Sequence, residues 1–175
     1  MNDPSHLIYC IDASAFIDLI HFNQPSNYPG VWDSIAELAD NGRLIMYEEV
    51  KEECKDPAIQ PWLKDHNAIV RPFSLEINQS MLELQSDLDR DGQWMVDPNS
   101  NKDKADPWVV AHAMAEDKRE PDLFVAGLVK VVSHERITNK KKGKVKIPDV
   151  CKRYNIECIT FPELVRLEGW VFVRR

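Results

Sequence analysis

Four carboxylates, Asp12, Glu53, Asp106 and Glu135, come from distant parts of a 175-residue chain, and each stands beside a segment that a parallel sheet would use. Asp12 directly follows the apolar run 6–11, and Glu135 stands two residues past the apolar run 128–133. Glu53 lies on a helical segment after a third such run, 43–47, and Asp106 opens a segment leading towards 128–133. In a parallel α/β sheet the carboxyl ends of the strands share one rim, where ligands bind. Like charges gathered there raise one another's pKa, so their convergence makes chemical sense only with a divalent cation. An all-oxygen set without His or Cys suits Mg²⁺ or Mn²⁺. Such an ion binds a phosphate, activates a water and stabilises a leaving oxygen, which is the chemistry of phosphodiester hydrolysis. Asp12 and Asp106 are the direct ligands in that scheme. Glu53 is either a ligand or the group that orients or deprotonates the water.

Each acid also has an ordinary alternative. Asp12 is placed to cap a helix entered at Ser14. Asp106 followed by Pro107 is a strong helix-start pair, with Asp106 as N-cap. Glu53 belongs to an acidic helical stretch that suits solvent, and Glu135 suits an exposed turn. Capping uses one carboxylate oxygen and leaves the other for a metal. Other chemistries lack their signatures. The six glycines occur singly, without a phosphate-binding loop, and the five histidines show no HExxH spacing. His112 reads as a helix-face residue, and no serine sits in a GxSxG context.

The elements that must position the acids follow from periodicity. The runs 6–11, 43–47, 128–133 and 156–161 read as buried strands, and 69–73 as an extended connector. Helices are expected at 15–22, 29–41, 48–56, around Trp62, 74–89, 106–117, 148–154 and 162–168, with a polar loop at 92–104. This alternation predicts a mostly parallel sheet covered on both faces.

At 43% apolar and 29% charged residues, disorder is excluded, and the length suits a single domain. No apolar stretch approaches the ~20 residues of a membrane span. The N-terminal residues lack a basic cluster and read as no signal peptide, which with four cysteines outside any CxxC pair predicts a reduced, cytoplasmic protein. Lys+Arg 22 against Asp+Glu 29 gives a net charge of −7, which argues against nucleic acid as a general partner. The segment 136–146 is the exception: Arg136, Lys140, Lys141, Lys142, Lys144 and Lys146 carry it with no acidic residue between them. Such a segment is a phosphate-backbone contact or a solvated loop.

Taken together, four sequence pieces resemble the PIN-domain family. They are the strand and turn 9–16 (YCIDASAF), the VKEE of 50–53, the ADPWVVAHA of 105–113 and the VVSHE of 131–135; IPDVC at 147–151 completes the pattern. Within it, the likeness is to the small bacterial PIN-like proteins of the DUF4411 type, relatives of VapC-like toxins. The resemblance implies a three-layer α/β/α fold with a central, mostly parallel sheet, spanning 1–175 as one domain with 56–104 as a divergent insertion. It implies a Mg²⁺- or Mn²⁺-dependent endoribonuclease, the toxin of a toxin–antitoxin pair, with RNA as substrate, an antitoxin protein as partner and a possible homodimer. By position, Asp12, Glu53, Asp106 and Glu135 would form its acidic quartet, and Ser14 and Ser133 would orient it. Glutamate at 135 replaces the usual aspartate, a longer arm suited to contact through water, and Asp103 is a candidate fifth acid. The basic residues of 136–146 would hold the RNA.

Two other readings compete. A catalytically silent PIN-like module would bind RNA or protein without a metal. A phosphotransfer domain also uses an aspartate after its first strand, but it requires a second acid beside it, and Ala13 and Ser14 follow Asp12 here.

Overall fold

The computed structural model describes residues 6–97, 105–119, 128–136 and 143–172. Within them the strands are β1 (Ile8–Ile11), β2 (Leu44–Tyr47), β3 (Val70–Arg71), β4 (Val129–Val132) and β5 (Glu157–Ile159). The helices are α1 (Ala13–Phe22), α2 (Pro29–Asp40), α3 (Glu48–Glu53), α4 (Gln60–Asp65), α5 (Leu75–Arg90), α6 (Asp106–Arg119), α7 (Ile147–Arg153) and α8 (Phe161–Leu167), with a 3₁₀ turn at Asn67–Ile69.

All neighbouring strands pair in parallel, in the order β3-β2-β1-β4-β5. β2 and β4 are buried at every position, and β1 at all but its first. Runs this apolar are stable only between two helical layers, and the structure is the three-layer α/β/α arrangement expected. α6 packs on β1, β2 and β4 and carries α5 on its outer side. The right-handed crossover from β1 to β2 puts α1 and α2 on the opposite face, where Phe16, Trp32 and Trp62 pack ring to ring at 5.5–6.0 Å.

β1 is the centre of the sheet, and the chain leaves it towards β2 on one side and returns as β4 on the other. The crevice between β1 and β4 is therefore the switch point at which such folds bind ligands. Register aligns Ile11 with Val132, and the Asp12 N–H donates to the Val132 carbonyl at 2.9 Å. The residues after both strands thus emerge side by side. The opposite end of the sheet is closed by Arg43, whose guanidinium holds both oxygens of Glu168 at 2.9 and 2.6 Å while the Tyr9 hydroxyl donates to the same carboxylate.

Local differences from the sequence reading are small but informative. Asp106 is the first residue of α6 rather than the cap before it, and α3 ends at Glu53 rather than at 56. The connector 69–73 contributes an edge strand, β3, and so 56–97 supplies part of the sheet as well as α5. In the segment read as a polar loop, Trp94 forms a parallel bridge with Lys144.

Candidate functional site

Asp12 is the anchor of the rim. It ends β1 and caps α1, accepting from the Ser14 N–H at 3.3 Å, so the capping reading and the site reading fall on the same residue. Only 2% exposed, it is one of the few polar side chains in the core. The Ser14 hydroxyl donates to Asp12 Oδ2, and the Ser133 hydroxyl donates to the same oxygen at 2.9 Å. Every hydrogen bond that the described residues give this carboxylate ends on Oδ2. Oδ1 is left for another partner.

The two serines are themselves fixed by the turn after β4. The His134 N–H donates to Ser14 Oγ and the Glu135 N–H to Ser133 Oγ, both at 3.1 Å. Two strand ends are thereby welded through hydroxyls. Burial pushes the Asp12 carboxyl above its ordinary value, the serine hydrogen bonds pull it down, and the charge of Glu135 pushes it up again, with a net rise. Burial, the largest of these influences, outweighs the hydrogen bonds that favour the charged form.

Glu53 closes α3, and its Oε1 accepts the Ala105 N–H at 3.0 Å, immediately before α6. The partial positive charge of a helix start favours this placement, and it brings Glu53 next to Asp106. Glu135 reaches the other way. Its Oε2 accepts the Ile147 N–H at 3.1 Å at the start of α7, and its Oε1 takes the Lys146 ammonium. Burial lowers the Lys146 pKa, but its hydrogen bond with Glu135 and the charges of Glu135, Asp106 and Asp12 outweigh it and hold the ammonium above its ordinary value. The Cys54 thiol, pushed up to about 12 by burial, also feels the charges of Asp12 and Glu53. Asp12, Asp106 and Glu135 therefore act together on one ammonium, Lys146, while the exposed Glu53 adjoins this acidic cluster through its bond to Ala105 and its influence, shared with Asp12, on the Cys54 thiol.

No three Asp, Glu, His or Cys side chains among the described residues are grouped to hold one metal ion as they stand. By type, the donors suit Mg²⁺ or Mn²⁺: the site offers carboxylate oxygens and carries more negative charge than Lys146 balances.

The model of the family described as a domain of unknown function, DUF4411, matches residues 9–172. The chain belongs to that family. Its matched span holds every member of the acidic cluster together with Ser14, Ser133 and Lys146. No curated protein and no solved structure matches the chain.

Other predicted residues fall elsewhere in this DUF4411 chain. Of the basic segment, Arg136 is exposed, Lys144 lies over the Trp94 ring and Lys146 is in the acidic cluster. Lys140, Lys141 and Lys142 lie outside the described residues, as does Asp103. His112 is wholly buried, with Nδ1 3.8 Å from Cys10 Sγ. All four cysteines are free thiols, and Cys10, Cys54 and Cys151 are buried. No described helix is long and apolar enough to cross a membrane.

Sequence reasoning missed Lys146 as a partner of the acids, since a lysine in a basic run carries no sign of what it folds against. It also missed His134, whose Nδ1 is 2.6 Å from Asp18 Oδ2 on the α1 side of the site.

Proposed function

We propose that the protein is a PIN-like, Mg²⁺- or Mn²⁺-dependent endoribonuclease. The observation that carries this reading is Asp12: a carboxylate 2% exposed at the switch point of a parallel sheet, with two serines on one oxygen and none of the described residues on the other. Burying a charge in that way is costly unless a cation or a proton meets it.

The chain's own residues divide the work. Ser14 and Ser133 fix Asp12 Oδ2, which sets the direction in which Oδ1 can coordinate. Glu53, tied by one oxygen to the Ala105 N–H, keeps its other oxygen for a water to be oriented or deprotonated. When bound by Asp12, Asp106 and the two glutamates, the metal ion supplies Lewis acidity towards a phosphate and its attacking water. Lys146 is the site's own cation, held on Glu135, and its ammonium would be open to a phosphate oxygen if a metal ion neutralised the acids. Arg136 and Lys144 extend positive charge along the strand's backbone. The toxin role, the antitoxin partner, a homodimer and a cytoplasmic setting rest on the family resemblance.

A second reading, a silent module that binds RNA without a metal, is favoured by one observation: the Lys146 ammonium already sits on Glu135. The two separate in one experiment. The chain is incubated with total cellular RNA in Mn²⁺ or in EDTA, beside Asp106→Asn, and new 5′ ends are mapped by sequencing. Ends that need Mn²⁺ and vanish in the variant establish the nuclease. Folded protein that binds RNA equally in EDTA and makes no ends establishes the silent module.

A further inference from the structure

The bridge between Trp94 and Lys144 builds something that the acidic cluster does not need. The Trp94 N–H donates to the Gly143 carbonyl at 2.8 Å, and the Val145 N–H returns to the Trp94 carbonyl at 3.0 Å. The Lys144 ammonium lies over the indole, 5.9 Å from its centroid. Gly143 is held at φ +89°, and a Cβ there would meet the Gly92 carbonyl at 2.9 Å and the indole nitrogen at 3.1 Å. Only glycine lets the backbone run this close to the ring.

Trp94 also lines a pocket of about 250 Å³ between α5 and the start of α6. Its floor is apolar, with Leu84, Leu88 and Met95 buried. Gln85 and Asp89, both exposed, and the half-buried Gln93, whose Oε1 accepts from Arg153, are the polar groups on the lining, and Pro107 is one wall. Pockets for drug-sized molecules run from ~300 to 1,000 Å³, so this one suits a smaller flat group. Both ends of the structure lead to the acids: Pro107 follows Asp106, and Lys144 stands two residues before Lys146.

We propose that this pocket takes one unpaired nucleobase of an RNA strand whose phosphate lies at the acidic rim, with Trp94 as the stacking surface. Three properties converge on that occupant. A base has a π-face for the indole, its exocyclic groups pair with an amide and a carboxylate such as those of Gln85 and Asp89, and its phosphate is met by Lys144. A duplex is excluded, because its bases are stacked on one another. The inference rests on RNA being the ligand of the acidic site, and it deepens that reading by making the substrate a single strand or loop.

The test is binding, read without cleavage. A fluorescently labelled single-stranded RNA of about ten nucleotides, a length that one such groove spans, is titrated in EDTA by fluorescence anisotropy. The parent chain is compared with Trp94→Leu and Trp94→Phe, each checked by thermal melting. The same RNA is then used with one abasic nucleotide moved along the strand. Trp94→Leu weakens binding on the order of 10-fold and Trp94→Phe by less than about 3-fold. One abasic position weakens the parent as much as the Leu substitution does and leaves the Leu variant unchanged. Should Trp94→Leu fail to fold, the abasic series on the parent decides alone. A Leu variant that binds like the parent, a flat abasic series, or no binding of single-stranded RNA overturns the proposal. Base-dependent binding by a protein that cuts nothing in Mn²⁺ keeps the pocket and removes the nuclease. Metal-dependent cutting with a flat abasic series does the reverse.

Discussion

Lys146 and Glu135 form an ion pair within the acidic cluster, while the other oxygen of Glu135 holds the first N–H of α7. Charges from Asp106 and Asp12 also act on the ammonium. In the proposed site, this cation fixed by the fold and a divalent cation from solution would address the same carboxylates. Lys146→Gln therefore lowers the melting temperature in EDTA, because the acids lose their counter-charge, and it enlarges the rise produced by millimolar Mg²⁺ or Mn²⁺. Thermal melting with and without metal measures both effects. An unchanged metal-induced rise in the variant would separate Lys146 from the metal site.

The buried Asp12 carboxyl is held above its ordinary value of 3.8, first by burial and also by the charge of Glu135. A folded state that keeps this proton more tightly than the unfolded chain loses stability as pH rises from 3.8 through the folded value. Asp12→Asn removes that loss and keeps a good helix cap. The variant melts higher than the parent at about pH 7 in EDTA, by a few degrees, and the gain shrinks towards about pH 4. It also loses the metal-induced rise. A gain of equal size at both pH values would mean that the charge of Asp12 costs the fold nothing.

Much of this arrangement was legible in sequence, for physical reasons that differ by residue. The strands β1, β2 and β4 are continuous apolar runs, a pattern imposed by burial on both faces, and it located Asp12, Ser133 and Glu135 at strand ends. β3 has two residues, too few to show a period. The pair Asp106-Pro107 suggested an N-cap at Asp106, yet α6 starts at that residue, because Glu53 reaches across 52 positions to take the preceding N–H. A cap delivered from another segment leaves no local trace. Lys146 and the bridge from Trp94 to Lys144 are likewise long-range contacts of residues whose neighbours in sequence suggest only a charged loop.

At the far end of the sheet, Arg43 and Glu168 form a two-point ion pair, with side chains 17% and 6% exposed. Tyr9 adds a hydroxyl, and the Arg43 Nε–H holds the Leu7 carbonyl at 3.0 Å. Removing one partner strands a buried charge, which costs about 3–5 kcal/mol, whereas replacing both with apolar groups is close to neutral. Glu168→Ala is therefore strongly destabilised in urea, and Arg43→Met with Glu168→Leu recovers a large part of the loss. If the double variant were no more stable than the single one, the pair would be stabilising in its own right, beyond relieving a stranded charge.

Glu53 joins two roles that substitution can separate. Its Oε1 caps the start of α6 through the Ala105 N–H, on a residue only 1% exposed, and its charge belongs to the acidic cluster. Glu53→Gln keeps a carbonyl oxygen for the N–H and loses the charge. Glu53→Ala loses both, and the unsatisfied buried N–H costs about 1–3 kcal/mol. Urea unfolding accordingly ranks the parent and Glu53→Gln close together, with Glu53→Ala well below. Mn²⁺-dependent RNA cleavage divides differently. If the carboxylate binds the metal or moves the water's proton, both variants lose on the order of 100-fold or more, the contribution of one general base. If Glu53 only positions α6 and Asp106 upon it, Glu53→Gln retains the parent's rate while Glu53→Ala falls. The acidic-cluster assignment requires the first pattern, and the second would reduce Glu53 to a helix cap.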